Sequence, residues 1–306
     1  MGLELVVTSK DMTAEDVAVF RMRRADGGEL PEWEPGAHVG VTVKGAIRQY
    51  SLCGEPSDRL SWRIAVRRDP EGKVSRDLHD QVSVGQRLQV DAPRNQFPLV
   101  EAERYLFIAG GIGITPFLPM IAQAEKEGKD WRLVYGGRSR AHMGFLAELD
   151  SPRVTLWPED ERGLLPLATL LEQVTDDTAV YCCGPGPLIE AVSRLCVERP
   201  VGSLHFERFE PAGVDEGAGS FTVELRRSGL TLEVPADKTL LEVLEAAGVS
   251  ILSSCRTGTC GTCEASVLAG EPDHRDEILT GEERTNGKLI MLCVSRSNSP
   301  TLALDL

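Results

Sequence analysis

Four cysteines near the end of the chain have the spacing to hold a metal centre. Cys255, Cys260 and Cys263 run as C-x4-C-x2-C, and Cys293 follows thirty residues later. That is the ligand spacing of a [2Fe–2S] cluster. The thiolates must converge on two irons from a loop. Gly258, Thr259, Gly261 and Thr262 are small enough to let backbone amides approach the sulfides. A structural zinc site is the alternative, but zinc sites usually show paired short Cys/His spacings, which are absent here. Cys53, Cys182, Cys183 and Cys196 are scattered, so the eight cysteines read as local metal chemistry rather than a disulfide framework. Such a cluster carries one electron at a time and needs both a donor and an acceptor.

A second constellation lies in the first hundred residues. Arg48-Gln49-Tyr50-Ser51 stands on a strand-like run. Arg48 could pair with a phosphate, Tyr50 could cover a ring face, and Ser51 could hydrogen-bond a flavin N5. A solvated Arg and a core Tyr on an ordinary strand would give the same four residues. The flavin reading gains from Gly72-Lys73-Val74-Ser75-Arg76, which follows a strand and opens a helical turn. Helix N-termini bind phosphate, and Lys73, Ser75 and Arg76 stand beside this one. Val66, on the strand before this turn, belongs to the same candidate site.

A third set lies in the middle of the chain. Gly110, Gly111 and Gly113 end a strand in the run GGIGITP, which continues through Ile114, Thr115 and Pro116 into a helical pattern. A backbone without side chains can approach a pyrophosphate at a helix N-terminus. The run departs from G-x-G-x-x-G, so it is not the dinucleotide fingerprint of a Rossmann fold. Cys183-Gly184-Pro185 ends another strand. Cys182 should point to the opposite face of that strand and serve as core. Cys53 and Cys196 sit in apolar contexts and read as packing residues.

The elements that position these groups fall into three segments. Runs at 17–24, 38–45, 47–52 and 61–68, separated by Gly, Pro and Asp turns, predict a small antiparallel barrel, with a short helix near 75–80. From Arg104 the rhythm alternates: strands at 104–111, 131–137, 154–157 and 179–184, and helices after Thr115, around 142–149, near 166–172 and at 186–198. Thr115 is placed to cap its helix, with Phe117, Met120, Ile121 and Ala124 on one face. This is a doubly wound parallel α/β pattern, whose ligands sit at the C-terminal ends of the strands. Residues 211–219 are small, Gly-rich and acidic, and read as a linker. Two alternating strands joined at Ser228-Gly229 follow. Thr239 and Glu242 then open a helix at capping-box spacing, with Leu240, Val243, Leu244 and Ala247 on one face. The expected architecture is a flavin-binding antiparallel β-barrel (1–99), an α/β nucleotide domain (100–210), the linker, and an α+β β-grasp ferredoxin domain (220–306).

A net charge of −14 over 306 residues argues against nucleic acid or an anionic membrane as partner, since both need clustered Lys and Arg. Neither a signal peptide nor a membrane span is read from the apolar runs, so a cytoplasmic protein is expected. The five histidines show no metal spacing and are expected at the surface or in caps. Asp273 and Glu277 beside His274 read as a solvated face.

The order of these motifs resembles the phthalate dioxygenase reductase family, among them the reductase subunits of vanillate O-demethylases. Segment 220–306 is similar to plant-type ferredoxins, including GEPDHRDEIL before the fourth cysteine. In such a family a C-terminal ferredoxin domain goes with FMN, so the resemblance implies FMN, a [2Fe–2S] cluster, and NADH or NADPH. It also implies that the glycine run and Cys183-Gly184-Pro185 frame the nicotinamide, with Cys183 near the hydride-transfer atoms. Arg138-Ser139-Arg140 falls where similar reductases contact the adenosine ribose; two arginines there would suit a 2′-phosphate, while close relatives commonly prefer NADH. Glu71-Gly72-Lys73 departs from the two glycines the family often has before the phosphate-loop serine. The implied activity is NAD(P)H-dependent electron transfer by a monomer to a separate Rieske-type aromatic oxygenase or O-demethylase. A reductase serving a reductive dehalogenase or P450, or a non-catalytic electron carrier or redox sensor, are the alternatives.

Overall fold

A computed structural model describes residues 2–197, 201–209, 219–253, 256, 258, 261–276 and 278–306. The N-terminal segment forms β1 (Leu3–Ala14), β2 (Val17–Arg24), β3 (Ala37–Val43), β4 (Ala46–Ser51), β5 (Trp62–Arg67), α1 (Lys73–Gln81), β6 (Arg87–Val90) and β7 (Arg94–Asn95). The sheet order is β4-β3-β6-β1-β2-β5, with β7 on β3, and every pairing is antiparallel. A bridge between Leu52 and Ile64 draws the outer strands β4 and β5 together, which curls the sheet into a barrel. Leu5 and Val7, Phe20 and Met22, Val39 and Val41, and Trp62 and Ile64 are pairs spaced by two, the period of a strand, and all enter one core. β1 is not among the expected strands, because its second half, Ser9 to Ala14, does not alternate. That half has its own use. Lys10 Nζ donates to the carbonyls of Leu78 at 3.3 Å, Val82 at 2.8 Å and His79, and so fixes the C-terminal end of α1.

The middle segment forms β8 (Arg104–Gly110), α2 (Phe117–Lys126), β9 (Asp130–Gly137), β10 (Val154–Pro158), α3 (Glu159–Arg162), α4 (Leu167–Leu171), β11 (Thr178–Cys183), α5 (Gly186–Val197) and β12 (Ser203–Glu207). All five strands are parallel, in the order β10-β9-β8-β11-β12. Alternation sends Phe107, Ala109, Tyr181 and Cys183 into one apolar layer and Leu106, Ile108, Val180 and Cys182 into the other, as a sheet covered on both faces requires. The strand order reverses between β8 and β11, which is where a doubly wound sheet opens its ligand crevice.

Two local expectations are corrected. Thr115 does not cap α2: its Oγ1 donates to the Ile112 carbonyl at 2.9 Å and closes a 3-10 turn over Gly111–Ile114, while Pro116 takes the cap position. The helix expected around 142–149 is absent. Two single 3-10 turns replace it, interrupted by Phe145 in the left-handed region at φ 64°. The reason is docking against the barrel. Phe145 N donates to Thr13 Oγ1 at 2.8 Å, the Arg63 guanidinium lies over the Phe145 ring at 5.3 Å, and Arg63 pairs with Glu148 at 3.0 Å. Val17, Val19, Cys53 and Ala65 of the barrel share one core with Phe117, Met120, Ile121 and Phe145. Residues 1–207 accordingly form one compact unit, and residues 208–306 form the other.

The second unit holds β13 (Phe221–Leu225), β14 (Leu230–Val234), α6 (Leu240–Ala246), β15 (Glu264–Ala269), β16 (Pro272–Asp273), α7 (Gly281–Asn286), β17 (Leu289–Met291), β18 (Arg296–Ser297) and β19 (Thr301–Leu304). A mixed sheet runs β14-β13-β19-β15-β17, with β13 and β19 parallel. Residues 211–218 of the expected linker lie outside the described residues. Thr239 and Glu242 form the capping box: Thr239 Oγ1 accepts from Glu242 N at 3.2 Å, and the Glu242 carboxylate accepts from Thr239 N at 2.8 Å. The helix buries Leu240, Leu241 and Leu244, while Ala247 is exposed at its end, contrary to the expected face. No helix among the described residues is long and apolar enough to cross a membrane.

The cap also matters to the metal loop, because Leu241 N donates to the carbonyl of Leu292, next to Cys293, at 2.9 Å. Thr239→Ala is expected to cost about 1 kcal/mol. This should lower the melting temperature of the second unit by roughly 4–8 °C, followed in the full chain by visible absorbance of the loaded protein.

Candidate functional site

The crevice at the β8/β11 reversal is built by backbone packing. A Cβ on Gly113 would lie 2.2 Å from the Cys183 carbonyl oxygen, inside any allowed contact. Gly110 and Gly184 meet in the same way: a Cβ on Gly184 would lie 3.0 Å from Gly110 Cα. The two motifs read separately from sequence, Gly110 to Gly113 and Cys183-Gly184-Pro185, are therefore one structure. They leave backbone rather than side chains at the strand ends, which is what close approach of a pyrophosphate needs.

Three side chains meet beside this crevice. Cys183 and Glu207 are register partners at the ends of β11 and β12. Ser51, at the end of β4, donates from Oγ to Glu207 Oε2 in a long 3.5 Å hydrogen bond. Ser51 is 4% exposed and Cys183 fully buried. Burial first, then the neighbouring Glu207 charge, holds the Cys183 thiol well above its ordinary range, so it is neutral. The arrangement puts a hydroxyl, a carboxylate and a protonated thiol where the barrel meets the nucleotide sheet. Glu207 escaped the sequence reading because a lone glutamate in HFERF carries no spacing signal. Its position on the parallel strand beside Cys182-Cys183 is what reveals it.

The other flavin-site residues divide. Tyr50 packs half-buried against the barrel core, and burial raises its hydroxyl far above the ordinary range. Arg48 is exposed on the same strand, with Nη1 donating to its neighbour's carbonyl, and Gln49 lies between them opposite Gly40. Lys73 and Arg76 are exposed at the start of α1, whose first turn holds no acidic residue and whose cap, Gly72, supplies no side chain. That helix start fits a phosphate. Ser75 is used within the turn: its Oγ donates to the Gly72 carbonyl and accepts from Asp69 N, both at 3.1 Å. Val66 sends its side chain into the barrel core, and its carbonyl bonds His79 Nε2 at 2.8 Å. Ile114 is buried in the core beside the glycine turn, and Pro116 holds the cap position of α2. Arg138, Ser139 and Arg140 lie at the end of β9, with Arg140 gripped by Glu161 at 2.8 and 3.3 Å.

In the second unit, Cys263 and Cys293 are buried, and their segments are joined by Leu292 N donating to the Cys263 carbonyl at 3.2 Å. Cys255 and Cys260 lie outside the described residues. Between them the backbone has positive φ at Arg256 (61°) and Gly258 (78°). A Cβ on Gly258 would stand 2.7 Å from Val294 Cγ2 and 3.0 Å from Asp276 Cα. Gly258 packed this closely onto the residue after Cys293, with the Cys263 and Cys293 thiols buried nearby in the same core, fits a [2Fe–2S] cluster.

Of the expected solvated face, Asp273 is partly exposed, while its neighbours His274 and Asp276 turn inward. Asp276 has a fully buried carboxylate that accepts from Leu279 N at 2.9 Å, Ile278 N at 3.2 Å and Ser295 Oγ at 3.4 Å. The His274 side chain is 9% exposed, with Nδ1 3.9 Å from Asp276, and Asp273 pairs with Arg275 at 2.7 Å. Glu277 lies outside the described residues. His38 is buried too, and His205 stacks on Tyr181 at 4.6 Å, so a surface role does not hold for these histidines. Cys53 and Cys196 are core residues, and burial pushes the Cys53 thiol up to about 11.

Gly113→Ala forces a methyl against a carbonyl. It is expected to destabilise the first unit by about 2 kcal/mol or more. Urea denaturation should show the loss, and calorimetry should show weakened binding of NADH.

Three family models match the chain: an oxidoreductase FAD-binding domain over residues 4–98, an oxidoreductase NAD-binding domain over 107–194, and a 2Fe-2S iron-sulfur cluster binding domain over 223–298. Phthalate dioxygenase reductase of Burkholderia cepacia is 38% identical over 318 residues, covering 99% of this chain and 97% of that one. A solved phthalate dioxygenase reductase, described as a modular structure for electron transfer from pyridine nucleotides to [2Fe-2S], matches with a TM-score of 0.76 and 38% identity over 100% of this chain and 98% of its own. An intact type IV self-sufficient cytochrome P450 monooxygenase matches with a TM-score of 0.78 and 40% identity over 100% of this chain; the chain spans only 41% of that longer protein. With its motifs, its three-domain architecture and its full-length similarity in agreement, the chain belongs to the phthalate dioxygenase reductase family, as an NAD(P)H-dependent flavin and iron–sulfur oxidoreductase.

Proposed function

We propose that this chain is the reductase component of a two-component oxygenase, passing electrons from NAD(P)H through FMN and a [2Fe–2S] cluster to a separate Rieske-type aromatic oxygenase or O-demethylase. The observation that carries the reading is the meeting of Ser51, Cys183 and Glu207 at the strand-order reversal, where barrel and nucleotide sheet share one core. A flavin bound there exchanges two electrons with a nicotinamide and one at a time with an iron–sulfur cluster.

The chain's own residues then have defined tasks. Arg48, Lys73, Arg76 and the open N–H groups of α1 hold the flavin phosphate, with Gly72 and Ser75 shaping the turn. A single terminal phosphate suits that helix start, and the C-terminal place of the ferredoxin domain in this family supports FMN over FAD. Tyr50 and Gln49 complete the flavin strand, and Val66 contributes only through its backbone. Gly110, Gly111, Gly113, Ile114, Thr115 and Pro116 shape the pyrophosphate cradle; Gly184 and Pro185 border the nicotinamide. Ser51 holds its proton toward Glu207, and Cys183, buried with a neutral thiol, backs the end of β11 from the core side. Cys255, Cys260, Cys263 and Cys293 hold the cluster. The flavin domain is assigned to 1–99, the nucleotide domain to 100–210, the linker to 211–219 and the ferredoxin domain to 220–306. A P450 as acceptor is the second reading, supported by the full-length likeness to the P450 chain.

Cys293→Ser separates the two halves. The loaded variant should still have its flavin absorbance bleached by NADH, but lose NADH-driven cytochrome c reduction by about a hundredfold or more. Undiminished cytochrome c reduction would sink the assigned route, and a purified Rieske oxygenase and a P450 offered in parallel identify the acceptor class.

A further inference from the structure

At the C-terminal ends of β9 and β10, Arg138-Ser139-Arg140 is bonded to Glu159-Asp160-Glu161. Asp160 N donates to the Arg138 carbonyl at 3.2 Å, and Glu161 takes Arg140 in a two-point grip at 2.8 and 3.3 Å. The two arginines differ. Arg138 is exposed, with no hydrogen-bond or ionic partner for its side chain among the described residues, while Arg140 is committed to Glu161 and also feels the charge of Asp160. Ser139 Oγ is bonded to His142 Nδ1 at 2.7 Å.

We infer that Glu161 is the residue that sets nucleotide selectivity, favouring NADH by occupying the guanidinium that a 2′-phosphate would need and by placing a carboxylate beside it. The inference rests on the reductase reading and deepens it. In a doubly wound sheet the adenosine ribose lies at the end of the second strand, here β9, where an acidic side chain accepts from the 2′-hydroxyl and an arginine accommodates a 2′-phosphate. A 2′-phosphate is close to a dianion at neutral pH, and beside Arg140 it would meet the Glu161 carboxylate directly, with Glu159 and Asp160 before it on α3 and Arg162 after it, stacked on Trp157. The Arg140–Glu161 pair is half-exposed, so it is weak in itself and can open. The discrimination therefore comes from the like charge that a phosphate would meet rather than from the strength of the pair. The arginines alone spell a phosphate site; the carboxylates arrive on α3, which follows β10 farther along the chain.

The test is calorimetric binding of 5′-AMP and 2′,5′-ADP to the holoprotein, with wild type, Glu161→Gln and the double variant Glu161→Gln/Arg140→Gln. Wild type should bind 2′,5′-ADP no better than 5′-AMP. Glu161→Gln should raise the affinity for 2′,5′-ADP relative to 5′-AMP by about tenfold or more, the worth of one charge-assisted hydrogen bond to phosphate. The double variant should cancel that gain, and kcat/KM for NADPH relative to NADH should move in the same directions. An unchanged ratio in Glu161→Gln, or a wild type that already prefers 2′,5′-ADP, would overturn the inference while leaving the reductase reading intact. Binding of neither compound, with no NADH oxidation, would overturn the reductase reading and this inference with it.

Discussion

The first unit depends on a place where two strand ends approach too closely to tolerate side chains. Gly113 lies against the Cys183 carbonyl and Gly110 against Gly184, so the ends of β8 and β11 meet as bare backbone. Reversal of strand order at the same point opens the crevice, and the 3-10 turn closed by Thr115 delays α2 by a few residues. Any methyl group added here closes the crevice and pushes the two strands apart. Because Cys183 and Glu207 are register partners, the same contact also fixes where the carboxylate stands.

A second constraint keeps the barrel from behaving as an independent domain. The connector after Phe97 is pinned by two tyrosines: Tyr181 accepts from Val100 N at 2.7 Å and donates to the Pro98 carbonyl at 2.9 Å, while Tyr105 donates to the Val100 carbonyl at 2.8 Å. Phe145, in a left-handed conformation costly for an aromatic residue, reaches the barrel at Thr13 and Arg63. Shared burial of this kind makes the position of Ser51 against Glu207 a property of the fold rather than of a transient encounter. Rigid support of this sort is what places reacting groups within tenths of an ångström.

Much of this is legible in the sequence. Short runs such as 17–24 between Gly, Pro and Asp turns marked barrel strands, the opposed phases of Cys182 and Cys183 marked core on both faces of one strand, and Thr239 with Glu242 marked a helix start. What failed had a common cause: tertiary contacts overruled local pattern. The helical pattern of 142–149 gave way to docking on the barrel, and Asp276, within a polar stretch, turned inward because backbone N–H groups and Ser295 were there to satisfy the carboxylate. Glu207 and Glu161 gained their places from strand register and from a neighbouring strand end, neither of which a one-dimensional motif contains.

The central claim is that one chain converts a two-electron reductant into single electrons. Anaerobic titration of the fully loaded protein with NADH, followed by visible absorbance, tests it most directly. Two electrons for the flavin and one for the cluster require roughly 1.5 equivalents of NADH per chain, with both sets of bands bleached. An end point near one equivalent with the iron–sulfur absorbance unchanged, or no bleaching at all, would contradict it.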